Sequence, residues 1–244
     1  MRKFLTWTFV VMSCLSLTNC DTLKEIGTTA LETATGSSTT AGLSNADIVS
    51  GLKQALEQGT TKGVNVLSAT DGFFGNAAVK VLFPPEAQKV EKTLRDVGAG
   101  ALVDEAILKI NRAAEDAAIG AKDIFVGAIK QMSIGDAMGI LMGANDACTN
   151  YLQQKTSAQL YSSFNPVVSQ SLNKVGAADA WTTVMTNYNK IPFVDKVNPD
   201  LGNYVTNKAM DGVFLMIKKE EALIREDPVK RVTDIMRKVF AKQD

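Results

Sequence analysis

Residues 102–132 read LVDEAILKINRAAEDAAIGAKDIFVGAIKQM, and the spacing of their apolar positions decides the fold class. Val103, Ile107, Ile110, Ala114, Ala117, Ala121, Ile124, Ala128 and Met132 recur every three or four residues. At 3.6 residues per turn that spacing draws one continuous stripe, so it predicts a single long helix with one face to bury. Much of the stripe is alanine, which lets a neighbouring helix approach closely.

The flanking sequence repeats this grammar in both directions. Ser44 with Asp47 starts a helix carrying Leu43, Ile48, Leu52, Leu56, Val64 and Leu67, with Gly59 a point of interruption. Thr70 to Asn76 is a turn cluster. Val79 to Phe83 is an extended run ended by Pro84-Pro85, which no helix can traverse, so it predicts a short strand or a surface crossing. Glu86 to Val97 is a helix closed by Gly98. Ser133 to Met142 is a short helix stopped by Gly143, and Asn145 is placed to cap the next, which reaches Val175 with a break near Pro166. Ala177 to Lys190, a helix opened by Asn198-Pro199-Asp200 and running to Glu226, and a last one from Val229 to Lys242 behind Asp227-Pro228 complete the set. With about eight helices and no alternating strand pattern, the expectation is an all-α, single-domain bundle over 43–244, with one short extended segment near 79–83.

Ahead of this domain lie two segments of different character. Residues 1–19 read as a lipoprotein signal peptide: Arg2-Lys3, an apolar run from Phe4 to Met12 continued by Leu15 and Leu17, then Leu17-Thr18-Asn19-Cys20, which resembles a lipobox. Asn19 stands where a small residue is usual. Cys20 is thus expected to carry the lipid and attach the chain to a membrane, several acyl chains making the attachment effectively permanent. Asp21 resembles an inner-membrane retention signal. Residues 20–42, rich in Thr, Ser, Gly and Ala, read as a flexible tether, with a short helix conceivable at 21–34. The expected location is the cell envelope, facing the periplasm.

Composition excludes more than it assigns. Once the signal is removed, 24 basic residues (26 less Arg2 and Lys3) face 26 acidic ones, so no electrostatic footprint for nucleic acid exists. The chain contains no histidine, which removes histidine-based triads, Cys/His pairs and His-bearing zinc sites. Of the three cysteines, Cys14 leaves with the signal and Cys20 takes lipid, so Cys148 alone keeps a thiol and reads as a small buried hydrophobe. No metal and no cofactor is expected.

Several residues nevertheless invite a functional reading. Glu220 falls on the apolar stripe Val205, Ala209, Val213, Ile217, Ile224, and a carboxylate facing a core must be paired or have its pKa raised. Arg112, Arg225 and Arg231 are the candidate partners. Asp104, Asn111 and Glu115 share one side of the central helix, and Glu105, Arg112 and Asp116 another, either a carboxylate cluster or a solvated face with Arg112 paired to Asp116. Glu220, Arg112, Asp104 and Tyr204 are the residues a histidine-free enzyme would use. Phe73 and Phe74, between Gly72 and Gly75, form an interaction loop or a core plug. Gly98-Ala99-Gly100 lacks the context of a phosphate loop.

Gly51-Leu52-Lys53-Gln54-Ala55-Leu56, Asp71-Gly72-Phe73-Phe74, Asn111-Arg112-Ala113-Ala114-Glu115, Ser133-Ile134-Gly135-Asp136-Ala137, Asn165-Pro166-Val167-Val168 and Tyr188-Asn189-Lys190-Ile191-Pro192-Phe193 together resemble the bacterial family known as domain of unknown function 4197. The resemblance covers nearly all of 43–242 and implies an envelope-associated, mostly helical domain without an established activity or functional residues. The leading expectation is a non-catalytic envelope lipoprotein that binds a protein partner or supports envelope structure. Two alternatives are an apolar-ligand carrier with an inter-helix cavity, prompted by nine methionines, and an enzyme using buried carboxylates; catalysis is the less favoured.

Overall fold

A computed structural model describes residues 43–96, 98, 100–174, 176–188, 196 and 200–241. The chain divides into Met1–Gly42 and Leu43–Asp244; the expected signal peptide, Cys20 and the expected tether lie outside the described residues. Nine α-helices are described: α1 Asn45–Ser68, α2 Gln88–Asp96, α3 Gly100–Ala118, α4 Ala121–Gln131, α5 Ile134–Leu141, α6 Ala147–Lys174, α7 Ala177–Tyr188, α8 Leu201–Glu226 and α9 Asp234–Phe240. Short 3₁₀ turns at Pro85–Ala87 and Pro228–Lys230 precede α2 and α9. The class is all-α, and no strand occurs among the described residues.

The central stripe spans two helices: Val103, Ile107, Ile110, Ala114 and Ala117 are buried in α3, whereas α4 buries Ala121, Phe125 and Ile129 and leaves Ile124 and Ala128 of the expected stripe half-buried. Ile119-Gly120 forms a turn between α3 and α4, where a Cβ on Gly120 would stand 2.9 Å from the Ser163 hydroxyl of α6. Glycine permits this approach and also costs helix propensity, so the helix is interrupted there. At Met132-Ser133 the chain bends by 106° into α5. Ser133 and Asp136 form a reciprocal capping box at that start, as Ser44 and Asp47 do at α1.

Helix α8 lies at the centre, packed by α1, α3 and α6. Its stripe Val205, Ala209, Val213 and Ile217 is buried, opposite Leu52, Leu67, Ile110, Leu160 and Phe164. Helix α1 runs through Gly59 without interruption. A Cβ built on Gly59 would lie 3.3 Å from Ile224, and one on Gly63 3.5 Å from the Met216 backbone, so both glycines serve close packing against α8. The expected break at Pro166 is also absent, since α6 continues through it. Phe164 and Val168, fully buried on either side, hold the helix together across a proline that costs a backbone hydrogen bond.

The two C-terminal helices start later than expected. Asn198 and Pro199 lie outside the described residues, and α8 begins at Leu201 with Asp200 accepting from Asn203 N at 2.9 Å. The last helix begins only at Asp234, capped by Thr233, because Arg231 turns into the core, with 1% of its surface exposed. Its guanidinium donates to the carbonyls of Ile224 (3.0 Å) and Arg225 (2.7 Å), which close α8, and packs over Phe240. A cation at a helix C-terminus is favoured by the exposed carbonyls there. Helix α9 then lies along α1, where a Cβ on Gly51 would stand 2.7 Å from Val239. Among the described residues no single helix is long and apolar enough to cross a membrane.

Candidate functional site

The polar residues of α3 divide between core and surface. Asn111 and Glu115, one turn apart on one face, are both buried and both serve the chain between α1 and α2. Asn111 Oδ1 accepts from Val81 N at 2.8 Å while its Nδ2 donates to the carbonyls of Val81 (2.8 Å) and Ile107 (2.7 Å). The side-chain amide thus satisfies both backbone polar groups of Val81, while Val79 belongs to a turn in which its N–H donates to the Asn76 carbonyl, so the extended run expected over 79–83 is not a strand. Glu115 Oε1 accepts from the backbone N–H groups of Phe73 (3.0 Å) and Phe74 (3.1 Å).

Arg112 clamps this loop from outside. It pairs with Glu115 (2.6 Å) and Asp71 (2.8 Å), and both raise its pKa, Glu115 more strongly. The expected pairing with Asp116 is not the one formed; Asp116 accepts from the Ser171 hydroxyl at 3.0 Å. Asp71 adopts φ 64°, the left-handed region tolerated by aspartate, and a Cβ on Gly72 would stand 2.3 Å from the Val66 carbonyl. Phe73 is completely buried against Gly212, and Phe74 is half-buried beneath Lys80, 3.9 Å from its ring centroid. The loop thus places one ring in the core and the other under a cation.

The remaining candidates are held apart by different partners. Glu220 pairs with Lys62 of α1 at 2.8 Å; the partner is a lysine, not one of the three arginines expected. Asp104 pairs with Arg95 at 2.8 Å. Tyr204 donates to the Leu82 carbonyl at 3.1 Å, and burial, followed by the charges of Glu86 and Asp211, raises its pKa. These residues are each bound to a separate element, so they do not form one constellation. No group of three or more His, Cys, Asp or Glu able to hold a metal occurs among the described residues.

Glu221, beside Glu220 and absent from the sequence-based candidates, has the denser set of bonds. It is buried and accepts from Cys148 N (2.9 Å), Thr149 N (2.9 Å) and the Thr149 hydroxyl (2.8 Å). A carboxylate from α8 therefore accepts from the first N–H groups of α6, where the sequence suggested Asn145 as the cap. Arg225 pairs with Glu221 at 3.0 Å and donates to the Ile140 carbonyl at 2.8 Å, joining the end of α5 to the same network. Cys148, 1% exposed, is the buried thiol expected; desolvation and then the Glu221 charge push its pKa well above the ordinary value.

An open groove lies elsewhere on the surface. Between α1 and the Val232–Met236 segment runs a groove of about 1010 Å³. Its α1 wall carries Gln54, Gln58, Thr61 and Asn65, and Val66 and Val232 supply exposed apolar surface beside the buried Met236. Val66 and Val232 are 41% and 61% exposed. Gln58 donates to the Lys230 carbonyl at 3.1 Å, and its Oε1 is buried without a partner among the described residues. Glu57, also on this wall, has no ion pair among the described residues. Sequence reasoning missed the groove because its two walls are about 170 positions apart.

No curated protein and no solved structure matches the chain. A family model described as protein of unknown function (DUF4197) matches residues 42–241, a span that begins just before α1 and ends just after α9. The boundaries of the match are those of the packed helical unit, and the chain belongs to this family of proteins of unknown function, DUF4197.

Proposed function

We propose that the protein is a lipid-anchored component of the bacterial cell envelope whose helical domain acts without catalysis, by binding a protein partner. The observation that carries this reading is the contrast between the buried carboxylates and the α1–α9 groove. Glu115 and Glu221 are fully occupied in holding loops and helix ends, so their burial has a structural explanation and needs no acid–base chemistry. The groove, by contrast, leaves the aliphatic side chains of Val66 and Val232 in water, the surface chemistry of a site that a partner can cover.

Photocrosslinking in the native cells tests the binding. A benzophenone amino acid at Val232 or Val66 should give a discrete protein adduct that the same group at exposed Gln153 does not. Identical adduct patterns from all three positions would count against the reading. The anchor is tested separately, since incorporation of radioactive palmitate should disappear in Cys20→Ser.

A further inference from the structure

Asp71-Gly72 and Asp211-Gly212 are the two Asp-Gly steps of the sequence, and this dipeptide has a covalent chemistry of its own. Glycine has no side chain to shield its nitrogen, so the glycine amide attacks the aspartate Cγ where the two meet. The new N–Cγ bond closes a succinimide ring, and one carboxyl oxygen leaves as water with the amide proton and a proton from solvent. Water then opens the ring at Cγ, which restores aspartate, or at the main-chain carbonyl, which leaves isoaspartate with Cβ inside the backbone. We infer that Asp71 is a site of this spontaneous isomerisation and that Arg112 keeps it closed in the folded protein.

The two steps differ in what restrains them. Asp211 and Gly212 lie inside α8, where the helical hydrogen-bond ladder fixes the backbone. Asp71 lies exposed in a loop at φ 64°, outside any helix. Two bonds take the place of the ladder. The Gly72 N–H donates to the Ala69 carbonyl at 2.9 Å, which engages the attacking nitrogen, and Arg112 holds Asp71 Oδ1 at 2.8 Å, which engages the carboxyl under attack. Ring closure gives up both, and the carbonyls of Val66 and Leu67 crowd Gly72, standing 2.3 and 2.4 Å from where a Cβ would lie. The reaction therefore waits on a local opening of the loop. Its product reaches the core, because isoaspartate adds one carbon to the main chain just before Phe73. The N–H of Phe73 is bound to Glu115 at 3.0 Å, and its ring is completely buried.

Ageing the purified protein tests this. The full chain is held at neutral pH for several weeks, folded or in guanidinium, then digested, and the isoaspartyl peptides are separated and assigned by mass spectrometry. In guanidinium the two aspartates should isomerise alike, since they share the dipeptide, and in the folded wild type both should be slow. Arg112→Gln should raise the folded rate at Asp71 about fivefold, the weight of a half-exposed pair, and leave Asp211 unchanged. A rise at Asp211 as well would show that the whole domain has opened. Arg112→Lys then decides, because it keeps a cation for Glu115 but lacks the fork that spans both carboxylates, and Asp71 alone should accelerate. A wild-type rate at Asp71 that is equal in the folded and denatured chain would overturn the inference. So would no rise at Asp71 in a variant that leaves Asp211 slow, or a parallel rise at both aspartates in both variants, since Arg112 would then hold the fold and not this step.

Discussion

Glu220 and Glu221 are adjacent glutamates in one helix with different energetic weight, and burial of the partner separates them. Lys62, the partner of Glu220, is half-exposed (49% of its side-chain surface), and pairs of that kind contribute about 0–1 kcal/mol because water screens them. Glu221 and Arg225 are exposed by only 5% and 6%; removing one charge leaves the other buried, a loss of about 3–5 kcal/mol. Urea denaturation should therefore find Glu220→Gln within about 1 kcal/mol of the wild type and Glu221→Gln lower by about 3 kcal/mol or more. Equal effects would mean that the network at the start of α6 is not what holds α5, α6 and α8 together. The sequence placed suspicion on Glu220 because it lies on the stripe, and the structure does find it largely buried. What the sequence did not reveal is Glu221, whose importance comes from a helix N-terminus more than 70 positions away.

At the scale of elements, local signals were legible where one short segment settles the outcome. The Ser44 and Ser133 boxes depend on residues three apart, and both form. Their aspartates Asp47 and Asp136 have lowered pKa values, chiefly through the side-chain hydroxyls of Ser44 and Ser133 and then the backbone N–H groups of those residues. A carboxylate whose pKa is lower in the folded state stabilises it above the ordinary carboxylate range, and that contribution is lost as pH falls through the folded value. Protection of the first-turn amides of α1 and α5 against exchange, taken relative to the intrinsic rate at each pH, should thus fall below about pH 4, the ordinary aspartate range. The same acidification should leave the first turn of α1 unchanged in Asp47→Asn, which already lacks the charge. Elements set by distant packing were misread: Pro166 suggested a break that buried Phe164 and Val168 prevent, and Ile119-Gly120 hid a turn that Ser163 accounts for.

For the whole molecule, class and helix number were legible because they follow from periodicity, while the pairing of helices was not. The groove and the α1–α9 contact both join the first described helix to the last. Deleting residues 233–244 removes α9 and uncovers the face of α1 around Gly51, while the buried Met236, Val239 and Phe240 go with it. Three core side chains of this size contribute roughly 1.5–3 kcal/mol each, comparable to the whole stability of an ordinary domain. Denaturant unfolding of the truncated chain should show a broadened transition with a smaller slope; a sharp transition at the wild-type midpoint would exclude a structural role for α9.

Joining the first helix to the last also sets a timetable. A chain that emerges from its N-terminus presents α1 early, yet the part of its face around Gly51 is covered only when residues 231–240 have followed, nearly 190 positions later. Contacts so far apart in sequence must meet the cost of closing a long loop before they stabilise anything. Arg231 adds a second late event, because the final carbonyls of α8 have no guanidinium to accept from until that residue is free of the machinery that delivers it. Completion of the bundle therefore belongs to the released chain rather than the emerging one.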